Sequence, residues 1–586
     1  MPAAFAASIS LPPTGPAARQ GGPIKGEGGW WRQVDGLAVI CSGRPRFGLE
    51  SSDTRAPEEV VAAAYRRHGV DFARSLTGEF VCALVDGAAN RAFVAQDRMA
   101  SRRLYFAQVG GRLAFGTGLQ QVVDHAGIER RLSRQAIYEY LYFHMIPAPL
   151  TIVEGVSKLA GSQLLEVSGG SVRVRTYWQP EFRETTDRGM DAVGEDLLAA
   201  LRGAVGRSVE GLTPESVGAF LSGGLDSSSV AGMLADVTNG AARTFTIGFP
   251  DKAYDESGYA EIAARHFGTR HHLKMLEPRE VIDAIVAITL HQDEPFGNSS
   301  ALPTYFCAAE ARQAGVSTLL AGDGGDELFG GNSRYVKQGV FEIYGHVPAA
   351  LRRSIIEPLL LGPVGLGKLP LLRKGASYVR QANVPLPDRL DTYNFLHRYA
   401  AADILTDDFL RGLDLERPIR HLRARYNELD GLTPLNRMLY LDWMRTLQDS
   451  DLVKVTSMCQ HAGIDVRYPM LDAEVVDLSS RLPTHWKVRR GRLRHFYRHA
   501  VRGFLPQAVL TKRKHGFGLP FGHWARRDSD LRDLAHTNVR WLGENAGFRP
   551  EFLEQAIQLH GSDTPGYYGE LVWILMVLGI WLGRHQ

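Results

Sequence analysis

Cysteine is scarce. Cys41, Cys82, Cys307 and Cys459 are the only four in 586 residues, and they stand far apart. Their spacing makes neither a metal cluster nor a disulfide framework. They read as small buried apolar residues of a reducing compartment, with the cytoplasm as the expected location. An excess of one charge is also missing: Lys plus Arg is 67, Asp plus Glu is 64, and the net is +3. That balance leaves no electrostatic footprint for nucleic acid. No run of 18 or more apolar residues occurs, so no membrane-spanning helix and no membrane partner are expected. The start, Met1-Pro-Ala-Ala-Phe-Ala-Ala-Ser8, has no basic segment ahead of an apolar one and is not expected to be a signal peptide. The apolar tail from Glu570 to Leu582 is expected to be a core helix whose charges and length do not fit a span. The chain is too long for one core, so two or three domains are expected.

What the chain does have is a strand–turn–helix signal at Phe220-Leu-Ser-Gly-Gly-Leu-Asp-Ser-Ser-Ser229. An apolar run, Val217 to Leu221, leads into it, and Val230-Ala-Gly-Met-Leu-Ala235 leads out as a helix. Such a turn sets backbone N–H groups at a helix N-terminus, which favours an anion. Gly223 and Gly224 allow close approach, Ser222, Ser227 and Ser228 add hydroxyls, and Asp226 can hold a divalent metal. No Gly-Lys-Ser/Thr follows, so it is not a Walker loop. From Gly189 apolar strands and helices alternate, which argues a doubly wound parallel sheet with strands at Val217–Leu221, Arg243–Phe249 and Val316–Ala321. The third strand ends in Ala321-Gly-Asp-Gly-Gly-Asp-Glu-Leu-Phe-Gly-Gly331, where Asp323 and Asp326 stand in a Gly-rich turn suited to Mg²⁺. Earlier, short β runs at 36–41, 79–85, 91–96, 103–107 and 112–116 suggest a sandwich-like layer. Pro57 to Gly69 reads as a helix, and Ser133 is a candidate cap for another, from Leu132.

The Ser222-Gly-Gly-Leu-Asp-Ser-Ser228 turn resembles the pyrophosphate loop of the ATP-pyrophosphatase superfamily, in the form used by asparagine synthetases. The resemblance implies ATP bound through Leu221 to Ser228, with Ile247 and Gly248 at adenosine and Gly322 and Asp323 beyond. It also implies Mg²⁺ held by Asp226 and Asp326. Thr511-Lys-Arg-Lys-His-Gly-Phe517 resembles the family's basic segment, with Lys512 in its arginine place and Lys514 as the lysine that faces the α phosphate. Lys454 and Asp323 are further catalytic candidates. His291-Gln-Asp-Glu-Pro-Phe296 resembles a segment that lines the family's cleft, with Asp293 and Glu294 either functional or structural. Where asparagine synthetases carry an Asp-Arg pair after the lysine, this chain has Thr456 and Ser457. That difference raises the expectation of an altered acceptor pocket. The segment 332–438 is expected to be a helical insertion shaping that pocket.

The first third resembles a class II glutamine amidotransferase domain at Tyr65-Arg-Arg-His-Gly69, Leu76-Thr-Gly-Glu-Phe80, Asp97-Arg98 and Arg103-Leu-Tyr105. The implied fold is an α/β/β/α sandwich over 1–178, joined by a polar linker at 178–188 to a synthetase domain over 189–586. That family uses an N-terminal cysteine, whereas position 2 here is Pro, so a scaffold without glutaminase chemistry is expected; the alternative is Cys41 as a relocated nucleophile. The resemblance implies an ATP-dependent, amide-forming ligase. Its branch remains open: a lasso-peptide macrolactam synthetase closing a precursor peptide's Asp or Glu side chain on its own amine, with a leader peptidase and a leader-binding protein as partners; an ammonia-using asparagine synthetase-like enzyme or small-molecule lactam synthetase; or a non-catalytic binding paralogue.

Overall fold

The computed structural model describes residues 5–11, 26–27, 30–48, 55–185, 187–361, 372–391, 394, 396, 398–513, 518–562 and 565–585. Its first part is a pair of stacked antiparallel sheets. One runs, neighbour to neighbour, through Ser171–Thr176, Gln163–Ser168, Arg91–Gln96, Phe80–Asp86, Leu37–Gly43 and Arg32–Val34. The other runs through Ser157–Lys158, Tyr105–Val109, Arg112–Gly116, Ala6–Ser10 and Gly26–Glu27.

The alternation of strand side chains lets each sheet pack on both of its faces. In Phe80–Asp86, Val81, Ala83 and Val85 face the second sheet and meet Ile9, Leu113 and Phe115. Phe80, Cys82 and Leu84 face the other way, onto Val60, Val61 and Ala64 of the helix Pro57–His68. The helix Leu119–Ala126 covers the outer face of the second sheet. The result is an α/β/β/α sandwich. Its two thiols are ladder neighbours, Cys41 opposite Cys82. Burial pushes the Cys41 thiol well above its ordinary range and Cys82 up to about 12. Neither is poised as a nucleophile.

The second part is organised on a parallel sheet ordered Arg270–Met275, Arg243–Gly248, Val217–Phe220, Thr318–Leu320 and Asp465–Arg467. The three central strands stand where the apolar runs place them. The two edge strands carry too little apolar signal to be read in sequence: Arg-His-His-Leu-Lys-Met at one edge, and three residues at the other. Ser133 caps Arg134–Phe143 by accepting from the Ala136 N–H at 3.2 Å.

The tail is the core helix expected for it, although its length and composition fit a span better than the sequence suggested. The helix Pro565–His585 is long and apolar enough to cross a membrane by length and composition alone. It is instead a core helix: Leu571 to Leu578 and Ile580 to Leu582 are buried against the helices Phe521–Arg527, Ser529–Asn545 and Pro550–Ser562.

The two parts are tied together by a carboxylate. Glu294 reaches from the second into the first, accepting from the Ile152 N–H at 2.9 Å and from Arg103 Nη1 at 3.2 Å, and pairing with Lys158. Lys158 is 2% exposed and Glu294 8%. Glu294 is therefore a structural residue, one of the two roles left open for it by the sequence. Glu294→Ala leaves the buried Lys158 ammonium without its carboxylate. Loss of one partner of a buried pair costs about 3–5 kcal/mol. Denaturant unfolding of the variant is expected to show a loss of that order, and a loss below about 1 kcal/mol, as for an exposed pair, would contradict the assignment.

Candidate active site

The turn after the strand Val217–Phe220 delivers its residues to the carboxyl edge of the parallel sheet, where open α/β sheets bind ligands. Gly224 is the N-cap of the helix Leu225–Val237, so the first N–H groups of that helix open into the cleft. Gly223 has φ +65°, and a Cβ there would come within 2.5 Å of the Tyr259 and Ala260 backbone. Only glycine fits. Ser222 and Ser227 hold the turn closed: the Ser222 N–H donates to Ser227 Oγ at 3.1 Å, and the two hydroxyls are 3.0 Å apart.

The cleft formed there has a volume of about 470 Å³. Leu221, Ser222, Gly224, Leu225, Asp226, Ser227, Ile247, Gly322, Asp323, Asp326 and Lys454 all line it. Three positions fall short. Gly223 supports the turn from beneath, where its helix neighbour presses. Gly248 lies beside Ile247, but a Cβ there would meet Met275 Sδ at 2.6 Å, so it is packed against the neighbouring strand. Ser228 is fully buried, and its Oγ has no partner on the cleft side or elsewhere. Lys514 lies outside the described residues. Its neighbour Lys512 does line the cleft, donating to Ser222 O at 3.1 Å and pairing with Glu256 at 3.1 Å.

The floor is strongly charged. Burial pushes the Asp323 carboxyl up to about 6, against the opposing pull of Lys454. Glu327 is held well above the usual carboxylate range by burial and by neighbouring Asp326 and Asp451. Lys454 Nζ pairs with Asp451 Oδ1 at 3.0 Å.

Asp226 and Asp326 converge on a single side chain. Arg494 Nη1 donates to Asp226 Oδ1 at 2.5 Å, Nη2 donates to Asp226 Oδ2 at 2.7 Å, and Nη2 also contacts Asp326 Oδ1. Three carboxylate oxygens within reach of one cationic head fit a hard divalent cation equally well. No group of three or more metal-ligating side chains occurs among the described residues. Magnesium does not need one, since it takes one or two carboxylates and completes its shell with phosphate and water.

None of the described residues of 332–438, with helices such as Ser333–Gly345 and Arg373–Ala382, lines this cleft. Thr456 and Ser457 do not face it either. Side chains turn by about 100° per residue around a helix. On Leu452–His461, therefore, Lys454 and Val455 face the cleft, while Val453, Thr456, Ser457 and Gln460 face a second cavity of about 450 Å³ between the two domains. The acidic–basic pair of the cleft is Asp451–Lys454, an i,i+3 spacing visible in the sequence but passed over there. Arg494 gave no such signal.

The matches to known proteins follow the same division. The asparagine synthase family model matches residues 196–583, and the glutamine amidotransferase domain model matches 48–178. Asparagine synthetase [glutamine-hydrolyzing] 1 of Bacillus subtilis is 24% identical over 530 residues, covering 90% of this chain and 81% of its own. A putative asparagine synthetase [glutamine-hydrolyzing] of Mycobacterium tuberculosis is 29% identical over 495 residues, covering 82% and 72%. Among solved structures, the glutamine phosphoribosylpyrophosphate amidotransferase of Bacillus subtilis aligns at 12% identity with a TM-score of 0.17, over 50% of this chain and 62% of that one. On the span and strength of the first family match, the chain belongs to the asparagine synthase family.

Proposed function

We propose that this protein is an ATP-dependent amide-forming ligase. A substrate carboxylate attacks the α phosphate, its C–O–P bond forms, and pyrophosphate leaves. An amine then attacks the acyl carbon and AMP leaves with the C–O electron pair. The observation that supports this reading is the convergence of the Ser222–Ser227 turn, Asp226, Asp326, Lys454 and Lys512 on one cleft at one sheet edge.

In that reading the helix N-terminus at Gly224 and the Ser222 and Ser227 hydroxyls hold the departing pyrophosphate, and Lys512 adds positive charge beside them. Magnesium held by Asp226 and Asp326 would neutralise polyphosphate charge that repels an incoming carboxylate. Lys454 orients an acidic group on the acyl side, and Asp323, once ionised, accepts the proton that the attacking amine sheds. Lys514 remains a candidate for the α phosphate.

Two acceptors are proposed. The first is the N-terminal amine of a precursor peptide, closed onto its own Asp or Glu side chain as in lasso-peptide macrolactam synthetases, with a leader peptidase and a leader-binding protein as partners in the cytoplasm. Its support is chemical: neither Cys41 nor Cys82 has an activated thiol, so the nitrogen would arrive with the substrate. The second is free ammonia, in an asparagine synthetase-like reaction, or the internal amine of a small lactam precursor. The Asp451–Lys454 pair favours it, since an ammonium and a carboxylate could each find a partner there. It fits the cleft and the named relatives at least as well as the first.

The purified chain with ATP and Mg²⁺ discriminates these readings. Asparagine formed from aspartate and ammonia without a peptide supports the second, and loss of water from a precursor peptide supports the first. Glutamate released from glutamine would contradict the reading of the front domain. Asp226→Ala is expected to lower ATP–pyrophosphate exchange by about 100-fold or more, the upper range for groups that support a metal; full exchange would exclude the site. Asp323 must be ionised to take a proton, so amide formation is expected to fall as pH drops through about 6. Asp323→Asn should abolish that acid limb in the amide step, and an unchanged profile would remove Asp323 from the chemistry.

A further inference from the structure

Arg494 is a cleft residue whose backbone and side chain are both constrained. It follows the two-stranded turn Val488–Arg489 and Arg492–Leu493 and has φ +53°, a region that non-glycine residues avoid. Its side chain is 7% exposed, and both of its terminal nitrogens are committed to Asp226 and Asp326. The surroundings are cut to fit: a Cβ on Gly331 would collide with both Asp326 Oδ1 and Arg494 Nε, and one on Gly325 would collide with the Asp226 carboxylate. The guanidinium therefore occupies a prepared position among the carboxylates.

We propose that Arg494 is the resident counter-ion of the Asp226–Asp326 pair, that a divalent cation and this guanidinium compete for the same oxygens, and that the cation therefore enters with the nucleotide and not ahead of it. The proposal rests on the reading of Asp226 and Asp326 as metal ligands.

The competition follows from geometry and charge. Both oxygens of Asp226 and one of Asp326 already accept from Arg494. Magnesium binds oxygen at about 2.0–2.1 Å, so it would need the same oxygens with a guanidinium still 2.5–2.7 Å from them. Two positive centres that close, in a site screened from water, repel strongly. The cation must displace the arginine, and a displaced buried guanidinium needs another anion. Of the cleft's other described carboxylates, Asp451 is already paired with Lys454 and Glu256 with Lys512, so apart from Asp323 and Glu327 no uncommitted negative charge waits there. A polyphosphate supplies it. Nucleotide and metal should therefore bind with strong positive coupling, and metal alone should bind poorly.

Mn²⁺ binding to the full chain tests this, by electron paramagnetic resonance of the free ion and by calorimetry, with and without a non-hydrolysable ATP analogue. Wild type is expected to bind Mn²⁺ at least ten-fold more tightly with the analogue than without it. Arg494→Met should bind Mn²⁺ without nucleotide at least ten-fold more tightly than wild type, and Mn²⁺ alone should raise its melting temperature but not that of wild type. Arg494→Lys keeps the charge with fewer donors and should fall between them; it also serves if the methionine variant does not fold. Equal Mn²⁺ affinity in wild type with and without the analogue, or in wild type and both variants, overturns the proposal. An Asp226→Asn, Asp326→Asn double variant separates the two levels. If it still takes up Mn²⁺ with the analogue, the metal reading itself falls. If it does not, while Arg494→Met shows no gain, only the role of Arg494 falls.

Discussion

Two carboxylates and one guanidinium fix the shape of the nucleotide cleft. Asp226 sits one turn beyond the strand Val217–Phe220, and Asp326 one turn beyond Thr318–Leu320. These strands are parallel neighbours, paired in register from Val217 with Thr318 to Ala219 with Leu320, so their carboxyl ends lie level. Level ends bring two like charges close together, which is unfavourable unless a cation lies between them. Arg494, 268 residues from one and 168 from the other, is that cation. The glycines at 325 and 331 are what allow its approach. The parallel register, the acidic turns and the distant arginine thus form one electrostatic unit.

The amino-terminal sandwich keeps its layers and its core while burial raises both of its thiols, and its contacts give the fold a use that does not depend on them. Glu79 accepts from the Tyr468 N–H at 3.0 Å, Arg102 pairs with Asp465 at 3.3 Å, and Trp443 Nε1 donates to Met99 Sδ at 2.7 Å. Together with the Glu294 cluster, these hold the edge strand Asp465–Arg467 and the segment that carries Asn298 and Ser300 into the cleft. The sandwich acts as a rigid wall against which the synthetase loops are set.

Local signals were the ones that could be read from the chain. The Gly-Gly turn between an apolar strand and a helix is a short-range pattern, and so are the acidic Gly-rich turn at 322–331 and the alternation in Phe80–Asp86 that predicts a two-faced strand. Arg494 was not legible because its partners are far away in sequence, and its own neighbourhood reads as a basic surface run. Which cavity Thr456 and Ser457 face was not legible either: helix phase sets Thr456 roughly half a turn from Lys454, and Ser457, one position on, falls in the adjoining sector that faces the second cavity. The insertion was legible as helices, but amphipathic pattern says which face is buried and not which neighbour buries it. At the tail the core-helix reading stands, and the packing of Leu571 to Leu582 supplies the burial that composition could only imply.

That tail helix also sets a timetable. Trp573 Nε1 donates to Gly297 O at 2.9 Å and Trp581 Nε1 to Gln292 O at 3.0 Å, across 276 and 289 residues of chain, and Tyr140 Oη donates to Ile574 O at 2.9 Å. The stretch carrying Glu294, Asn298 and Ser300 is thus braced from behind by residues made much later. At synthesis rates of about 5–20 residues per second, roughly 15–60 s pass before that brace exists. A nascent chain on the ribosome can complete its sandwich early, yet it must carry an unbuttressed cleft until its last helix emerges.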